Sequence, residues 1–314
     1  MRPLRWRCLG AAATILLSTA AMAGPVAHVA AWDTLYRLDL GTRQATAVGT
    51  GLGYNDVEGL AMSPDGAIYG VADGTAGSGS LLTDFLLRIN PETGDSQLVG
   101  ALSGLAGLGV TGDATGQLDY GLAFTCDGRL WMSSDTLGLL WEVDPSTGAV
   151  QEVFDMHAPI SGLAGRGNKL YGIGVELGFG NRNDQALYEI DPDARSVRRI
   201  GSLGINETFS SAGADFDADG VLWTTLDSQP PYVNRPSLLA RVDLQTGRAN
   251  VTGSIAGVED NISVRAMAIA PPPCPSGTPV ETPEVAIVPG PGLPWLLSLA
   301  GLALWAGRRR MRVS

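Results

Sequence analysis

Leu140-Trp141-Glu142-Val143-Asp144 is one of five copies of a short segment that decides the fold of this chain. In every copy an aliphatic residue precedes the closing Asp or Asn, and Arg or Glu precedes that aliphatic residue. This alternation has the period of two that is typical of a β-strand with one buried and one exposed face. The other copies are Leu35-Tyr36-Arg37-Leu38-Asp39, Leu86-Leu87-Arg88-Ile89-Asn90, Leu187-Tyr188-Glu189-Ile190-Asp191 and Leu239-Ala240-Arg241-Val242-Asp243.

A turn follows each copy, as in Asp144-Pro145-Ser146-Thr147-Gly148. The side chain of Asp or Asn opens such a turn by accepting backbone hydrogen bonds, Pro presets the next φ angle, and Gly accepts a positive φ at the exit. Each turn therefore joins two antiparallel strands. The closing residues of the five segments lie 47 to 54 residues apart. A repeat of about fifty residues built only of short strands and turns predicts the blades of a β-propeller.

A second repeated segment precedes each of four copies and is interpreted as the innermost strand of a blade. In three of the four, an Asp-Gly pair a few residues later indicates a tight hairpin turn. The four segments are Gly59-Leu60-Ala61, Gly121-Leu122-Ala123, Gly162-Leu163-Ala164 and the variant Gly213-Ala214-Asp215.

The two ends of the repeat region are complementary. The strand beginning near residue 26 has no innermost segment before it, and residues 265–270 have the innermost pattern with nothing after them. We therefore predict that the strand at Met267 pairs with the strand at Val29 and closes the ring. The fold class is all-β, with five blades at residues 26–50 plus 265–270, 57–100, 119–154, 160–203 and 212–255. A six-bladed ring with a degenerate blade in residues 101–118 is the alternative, but that stretch is too short for four strands.

The terminal segments indicate export. Residues 1–23 combine Arg2, Arg5 and Arg7 with a short apolar run and an Ala-x-Ala site, which predicts a secretory signal peptide. An N-terminal membrane anchor is the alternative. The propeller follows at residues 24–270, a Pro-rich linker at residues 271–287, and a C-terminal segment at residues 288–314.

The C-terminal segment resembles the PEP-CTERM sorting signals that exosortases recognise. It contains a proline motif, an apolar stretch at residues 293–306 that predicts a single membrane helix, and a terminal arginine cluster. Gly290 stands where that family has Glu. The resemblance implies an exosortase-type processing enzyme as a partner, contact with the inner membrane through the helix, and release to the cell surface of a Gram-negative bacterium. A plain C-terminal membrane anchor is the alternative. The residues that carry the resemblance are Val288, Pro289, Pro291, Arg308, Arg309 and Arg310.

Charge and cysteine content limit the possible partners. The chain has 21 basic and 32 acidic residues, and seven of the arginines lie in the two terminal segments. The acidic remainder excludes nucleic acid as a partner. Once the signal peptide is removed, only Cys126 and Cys274 remain, and an exported chain can bond them. Two unpaired thiols are the alternative.

Candidate binding residues are expected where the innermost strands begin. The loops between second and third strands and the connections between blades reach one face of the ring, which we call the long-loop face. The turns between first and second strands and between third and fourth strands reach the opposite, short-turn face. Long loops on a rigid scaffold are the usual place for binding. The candidates at the channel mouth and on the long-loop face are Asp56, Glu58, Asp119, Tyr120, Asn183, Asn206 and Arg265.

A possible calcium site is the second candidate. Asp215, Asp217 and Asp219 precede Gly220 with the spacing of a calcium loop. However, Leu226 stands where the loop needs a bidentate Glu, and the last Asp-Gly pair aligns with the plain hairpin turns, so a turn is favoured. No cofactor other than calcium is indicated.

Two functions fit these patterns. The favoured one is a non-catalytic, exported propeller that binds an extracellular protein or polysaccharide, with no catalytic residue assigned. The alternative is a metal-dependent lactonase- or lyase-like enzyme. Propeller hydrolases such as gluconolactonase-like enzymes hold a metal at the channel mouth with Glu and Asn ligands, and Glu58, Asp119 and Asn206 are the set this sequence offers. A structural ion pair between Glu58 and Arg265 is favoured over catalysis.

Overall fold

The described part of the chain is built from five four-stranded antiparallel sheets. The computed structural model describes residues 24–75, 84–103, 105, 120–175, 184–228, 235–259 and 262–274. It contains no α-helix within those residues. Accordingly, no described helix has the length and apolar character needed to cross a membrane. The predicted signal peptide at residues 1–23 and the predicted sorting segment with its membrane helix at residues 288–314 lie outside the described residues.

The strands follow one another in groups of four, with blade 1 shared between the two ends. They are β1 (Val26–Ala31), β2 (Thr34–Asp39), β3 (Ala45–Val48), β4 (Tyr54–Met62), β5 (Ile68–Thr75), β6 (Phe85–Ile89), β7 (Ser96–Ala101), β8 (Tyr120–Phe124), β9 (Leu130–Ser134), β10 (Leu139–Val143), β11 (Val150–Asp155), β12 (Ile160–Arg166), β13 (Lys169–Gly174), β14 (Ala186–Asp191), β15 (Ser196–Ser202), β16 (Phe209–Phe216), β17 (Leu222–Ser228), β18 (Leu238–Val242), β19 (Ala249–Ser254) and β20 (Ala266–Ile269).

The ring closes by pairing the two ends of the repeat region. Four sheets contain consecutive strands, and the fifth has the order β20-β1-β2-β3. The antiparallel register of β1 and β20 places Val29 opposite Met267, as predicted. We number this sheet blade 1, and blades 2 to 5 are β4–β7, β8–β11, β12–β15 and β16–β19. The chain is therefore a five-bladed β-propeller, and the six-bladed alternative is wrong.

The turns after the repeated segments form as their sequences predict. The Asp39 carboxylate accepts hydrogen bonds from the backbone N–H groups of Gly41 and Thr42, at 2.9 and 2.8 Å. Asp243 accepts the equivalent pair from Gln245 and Thr246, at 3.0 and 2.8 Å. These side chains satisfy the first unpaired donors of the turn, so the turn holds its shape without tertiary contacts.

The apolar side chains of each repeated segment pack against the neighbouring blades. One core cluster joins Trp141 of blade 3 to Tyr69 of blade 2, and another joins Leu187 of blade 4 to Phe209 of blade 5. Full burial of a large apolar side chain contributes about 1.5–3 kcal/mol. Tyr188 is also buried within a cluster, so the aromatic residues that repeat with the blade period belong to the core.

The innermost strands meet at the centre of the ring through glycine. A Cβ atom on Gly121 would lie 2.5 Å from the backbone oxygen of Ser161, and one on Gly59 would lie 2.8 Å from that of Tyr120. Gly162 and Gly213 occupy the same position in blades 4 and 5, with equivalent contacts at 3.1 and 2.7 Å. The space enclosed by the described inner-strand residues does not admit a water molecule. Four of the five inner strands therefore need glycine at this position for close backbone contact, and Ala266 takes the place in blade 1.

Candidate functional site

Glu58 lies at the start of an innermost strand on the long-loop face and is only 1% exposed. Its Oε2 atom accepts a hydrogen bond from the backbone N–H of Tyr120 in blade 3, at 3.1 Å. Its Oε1 atom lies 3.5 Å from the Nη1 atom of Arg265, which leads into the blade 1 inner strand. The carboxylate thus links three blades. This side chain therefore satisfies a buried backbone donor of a neighbouring inner strand.

Arg265 is shared between two acidic side chains. Its Nη1 atom also lies 3.3 Å from the Oδ2 atom of Asp56, which is nearly buried. Asp56 has a φ angle of 45°, in the left-handed region, just before the irregularity that the pairing of β4 with β5 shows between Val57 and Leu60. Two carboxylates facing one guanidinium give the channel mouth a negative balance. Breaking such a partly buried ion pair is unfavourable, because the partner that remains is a poorly solvated charge.

Tyr120 brings an acid that the sequence did not indicate into the same region. The hydroxyl of Tyr120 donates a 2.7 Å hydrogen bond to the Oδ2 atom of Asp84, and both residues are buried. Asp84 immediately precedes β6. The sequence did not mark it as a site residue, and the available signal was its position directly before β6.

A related link between blades uses serine. Ser161 stands before the ring glycine of blade 4, as Glu58 does in blade 2. Its Oγ atom accepts a hydrogen bond from the backbone N–H of Ala212 in blade 5, at 3.0 Å. Asp227 extends this pattern at the outer part of the long-loop face, where it accepts a 2.7 Å hydrogen bond from Ser263. The residues that begin the inner strands therefore fasten adjacent blades.

The structure brings together four of the seven predicted binding residues. Asp56, Glu58, Tyr120 and Arg265 form one connected group. Asn206 is exposed on the connection between blades 4 and 5, and no hydrogen bond joins it to that group among the described residues. Asp119 and Asn183 lie outside the described residues.

The aspartates of the possible calcium loop serve different structural purposes. Asp217 accepts hydrogen bonds from the backbone N–H groups of Asp219 and Val221, and from the indole of Trp223 at 2.8 Å. Asp215 instead points to blade 1 and accepts the backbone N–H of Ile269 at 2.7 Å. The contacts of Asp217 are those of a hairpin turn, and that of Asp215 is a link between blades. Among the described residues, no three His, Cys, Asp or Glu side chains are grouped to hold a metal ion.

Asp215 occupies the position that Ala61, Ala123 and Ala164 hold in other blades. Burial raises the pKa of the Asp215 carboxyl to about 7, although its two backbone hydrogen bonds act in the opposite direction. The physical cause is the poor solvation of a negative charge beside the closed centre of the ring.

The short-turn face carries a disulfide and a cavity. Cys126 is bonded to Cys274, with the two Cα atoms 5.6 Å apart. Of the two states that the sequence left open for the cysteines, the structure thus contains the bonded one. Residues 271–274 run from the end of β20 to the first hairpin turn of blade 3. A cavity of about 760 Å³ lies beside this segment, and blades 2 to 5 contribute to its lining together with residues 271–274.

No protein-family model and no curated protein matches this chain. Among solved structures, it is similar to regucalcin from Agrobacterium tumefaciens, described as a calcium-binding protein, with 17% identity and a TM-score of 0.42 over 76% of this chain and 72% of that one. It is also similar to a chain of a nidogen/laminin complex, with 14% identity and a TM-score of 0.47 over 80% of this chain and 100% of that one. At these levels of similarity the comparisons carry no argument about function.

Proposed function

We propose that this chain is an exported, envelope-associated β-propeller that binds a protein or glycan through its long-loop face and catalyses no reaction. The observation that carries the proposal is that the contacts of Glu58 join neighbouring blades. Both of its carboxylate oxygens are engaged by neighbouring blades, and its side chain is buried. A carboxylate committed to such links is poorly placed to take a proton from a substrate or to bind a metal. The proposal leaves the outer loops of the same face as the contact surface.

The point where the chain leaves the ring determines which way the long-loop face is directed. Cys274 is bonded to the first hairpin turn of blade 3, so the chain leaves the ring on the short-turn face. The linker at residues 275–287 and the segment at residues 288–314 continue from there. If that segment sits in the inner membrane or is handled by an exosortase-type enzyme, the long-loop face is directed away from the membrane, towards extracellular proteins or polysaccharide.

Deletion of residues 288–314 tests the anchoring. The truncated protein is expected in the medium, and the full-length protein is expected in the membrane fraction or at the cell surface. Replacement of Arg308, Arg309 and Arg310 by Ser is a milder control, since it removes the charged stop but keeps the apolar stretch. Unchanged membrane fractionation of the truncated protein would refute the proposal.

A metal-dependent lactonase- or lyase-like enzyme is the second candidate, and the buried carboxylate of Glu58 at the channel mouth, which shares Arg265 with Asp56, is the observation that favours it. Metal analysis of purified residues 24–274 separates the two functions. An enzyme of this kind would carry one tightly held divalent ion that Glu58→Gln releases. A binding module would show no such ion, and Glu58→Gln would leave its ligand affinity unchanged.

A further inference from the structure

The cavity on the short-turn face has a fixed wall. Pro271, Pro272 and Pro273 are held at one end by the pairing of β20 with β1 and at the other by the bond from Cys274 to Cys126. A run of prolines adopts an extended, stiff conformation. Both ends of this wall are therefore tied and its middle is rigid, so a ligand would not have to order it.

The floor of the cavity is apolar and partly aromatic. Met62, Phe124 and Tyr171 line it, and each is half-buried. The ring of Phe124 packs edge-on against Tyr69, and the ring of Tyr171 packs edge-on against Phe216, with centroids 5.4 and 5.3 Å apart. These core contacts fix the two rings, so they offer preformed apolar surface to a ligand.

Arg166 and Asp219 line the cavity, and no ion pair joins them. Arg166 lies with its Cζ atom 5.6 Å from the centre of the Phe216 ring, and it has no ion-pair partner among the described residues. Its Nη2 atom lies 3.4 Å from the position that a Cβ on Gly220 would take, beside Asp219 in the next blade. The exposed Asp219 carboxylate makes no hydrogen bond to a described residue. A donor and an acceptor therefore stand side by side without contact.

This arrangement selects a type of ligand. An anion would meet Asp219 and the net negative charge of the whole ring, and a cation would meet Arg166. A neutral molecule with hydroxyl groups can accept from Arg166, donate to Asp219 and lay an apolar face on the rings. A volume of about 760 Å³ falls within the range of about 300–1,000 Å³ for small-molecule sites.

We propose that the cavity between the inner hairpin turns of blades 2 to 5 and the disulfide-held proline segment binds a neutral oligosaccharide, with Arg166 and Asp219 bonding its hydroxyl groups and Tyr171 and Phe124 packing against its sugar rings. This site is separated from the long-loop face by the closed centre of the ring. It does not depend on the function proposed above, and either can fail without the other.

The test is titration calorimetry on the full-length protein with three trisaccharides. Cellotriose and maltotriose are the neutral probes, and trigalacturonic acid is the anionic comparison. We expect at least one neutral probe to bind and the anionic probe to bind at least tenfold more weakly. We further expect Arg166→Ala and Asp219→Asn each to weaken binding at least tenfold. Arg241→Ala is the matched control, because that arginine also lies over an aromatic ring, 4.4 Å from the centre of Trp223, but outside the cavity.

Three results would overturn the proposal. The first is that neither neutral probe binds at concentrations up to about 10 mM, well above the millimolar affinity of a weak site. The second is that trigalacturonic acid binds as tightly as the neutral probes. The third is that Arg166→Ala and Arg241→Ala bind the neutral probe equally well, which would place the sugar elsewhere on the protein.

Discussion

The disulfide between Cys126 and Cys274 should contribute a large part of the stability of the ring. It joins residues 148 positions apart, and the strand that precedes Cys274 has only four residues, all buried. A cross-link restricts the unfolded chain, and its effect grows with the length of the closed loop. For a loop of this length the chain-entropy model gives about 5 kcal/mol.

The perturbation is the double substitution Cys126→Ser and Cys274→Ser in residues 24–287. For a domain of this size each kcal/mol corresponds to about 2–4 °C in Tm, so the expected decrease is roughly 10–20 °C. Thermal unfolding followed by circular dichroism measures it, with and without a reducing agent. The reducing agent should lower the Tm of the wild-type protein to that of the double variant and should leave the variant unchanged.

A decrease below about 4 °C would refute this reasoning, because it corresponds to less than the roughly 2 kcal/mol at the low end of measured disulfide contributions. Such a result would mean that the pairing of β20 with β1 closes the ring without covalent help. A reducing agent that destabilises the double variant as well would show that the effect does not come from this bond.

Three further predictions concern the centre of the ring. Gly121→Ala places a Cβ atom 2.5 Å from a backbone oxygen of the next inner strand, so urea denaturation should show that the free energy of unfolding falls by about 1–3 kcal/mol. The control is Gly41→Ala in an exposed turn, which should change the free energy of unfolding by less than about 0.5 kcal/mol. Glu58→Gln keeps an acceptor for the neighbouring blade but removes the charge that faces Arg265, so the free energy of unfolding should fall by about 1–2 kcal/mol in the same assay. An unchanged free energy of unfolding would contradict the structural role of Glu58. The pKa of Asp215 is about 7 in the folded protein, against an ordinary value of 3.8. Between these pH values the folded protein holds a proton that the unfolded chain has released, so the contribution of Asp215 to stability should fall by at most about 4 kcal/mol as the pH rises from about 4 to about 7. Asp215→Asn should flatten this part of the profile of stability against pH, and an unchanged profile would contradict the assignment.

The sequence was sufficient for the blade count and for the closure of the ring. A strand shows its period of two within five residues, and an Asx turn forms from neighbours two or three positions away, so both signals are local. The incomplete patterns at residues 26–31 and 265–270 then predicted the pairing of Val29 with Met267. The acidic balance was likewise readable without tertiary information, and the terminal segments stay predictions.

The contacts between blades were decided only by the tertiary structure. The sequence predicted the ion pair of Glu58 with Arg265 from the repeat, but it gave no sign that Glu58 also accepts from the backbone of Tyr120, which lies 62 residues away. The hydroxyl of Tyr120 similarly finds Asp84, which the sequence did not mark. Such partners are set by the angle at which five sheets meet, and this angle depends on side chains distributed along the whole chain.

The glycines of the inner strands, at positions 59, 121, 162 and 213, show what the sequence determined and what the tertiary structure decided. The sequence determined where the Gly-Leu-Ala segments lie, because their spacing is written in the repeat. It did not determine why glycine is required there. Only when five inner strands converge does the backbone of one blade come within 2.5 Å of the place where a Cβ of Gly121 would be. Local chemistry therefore specified each blade, and steric exclusion at the centre decided how the blades fit together.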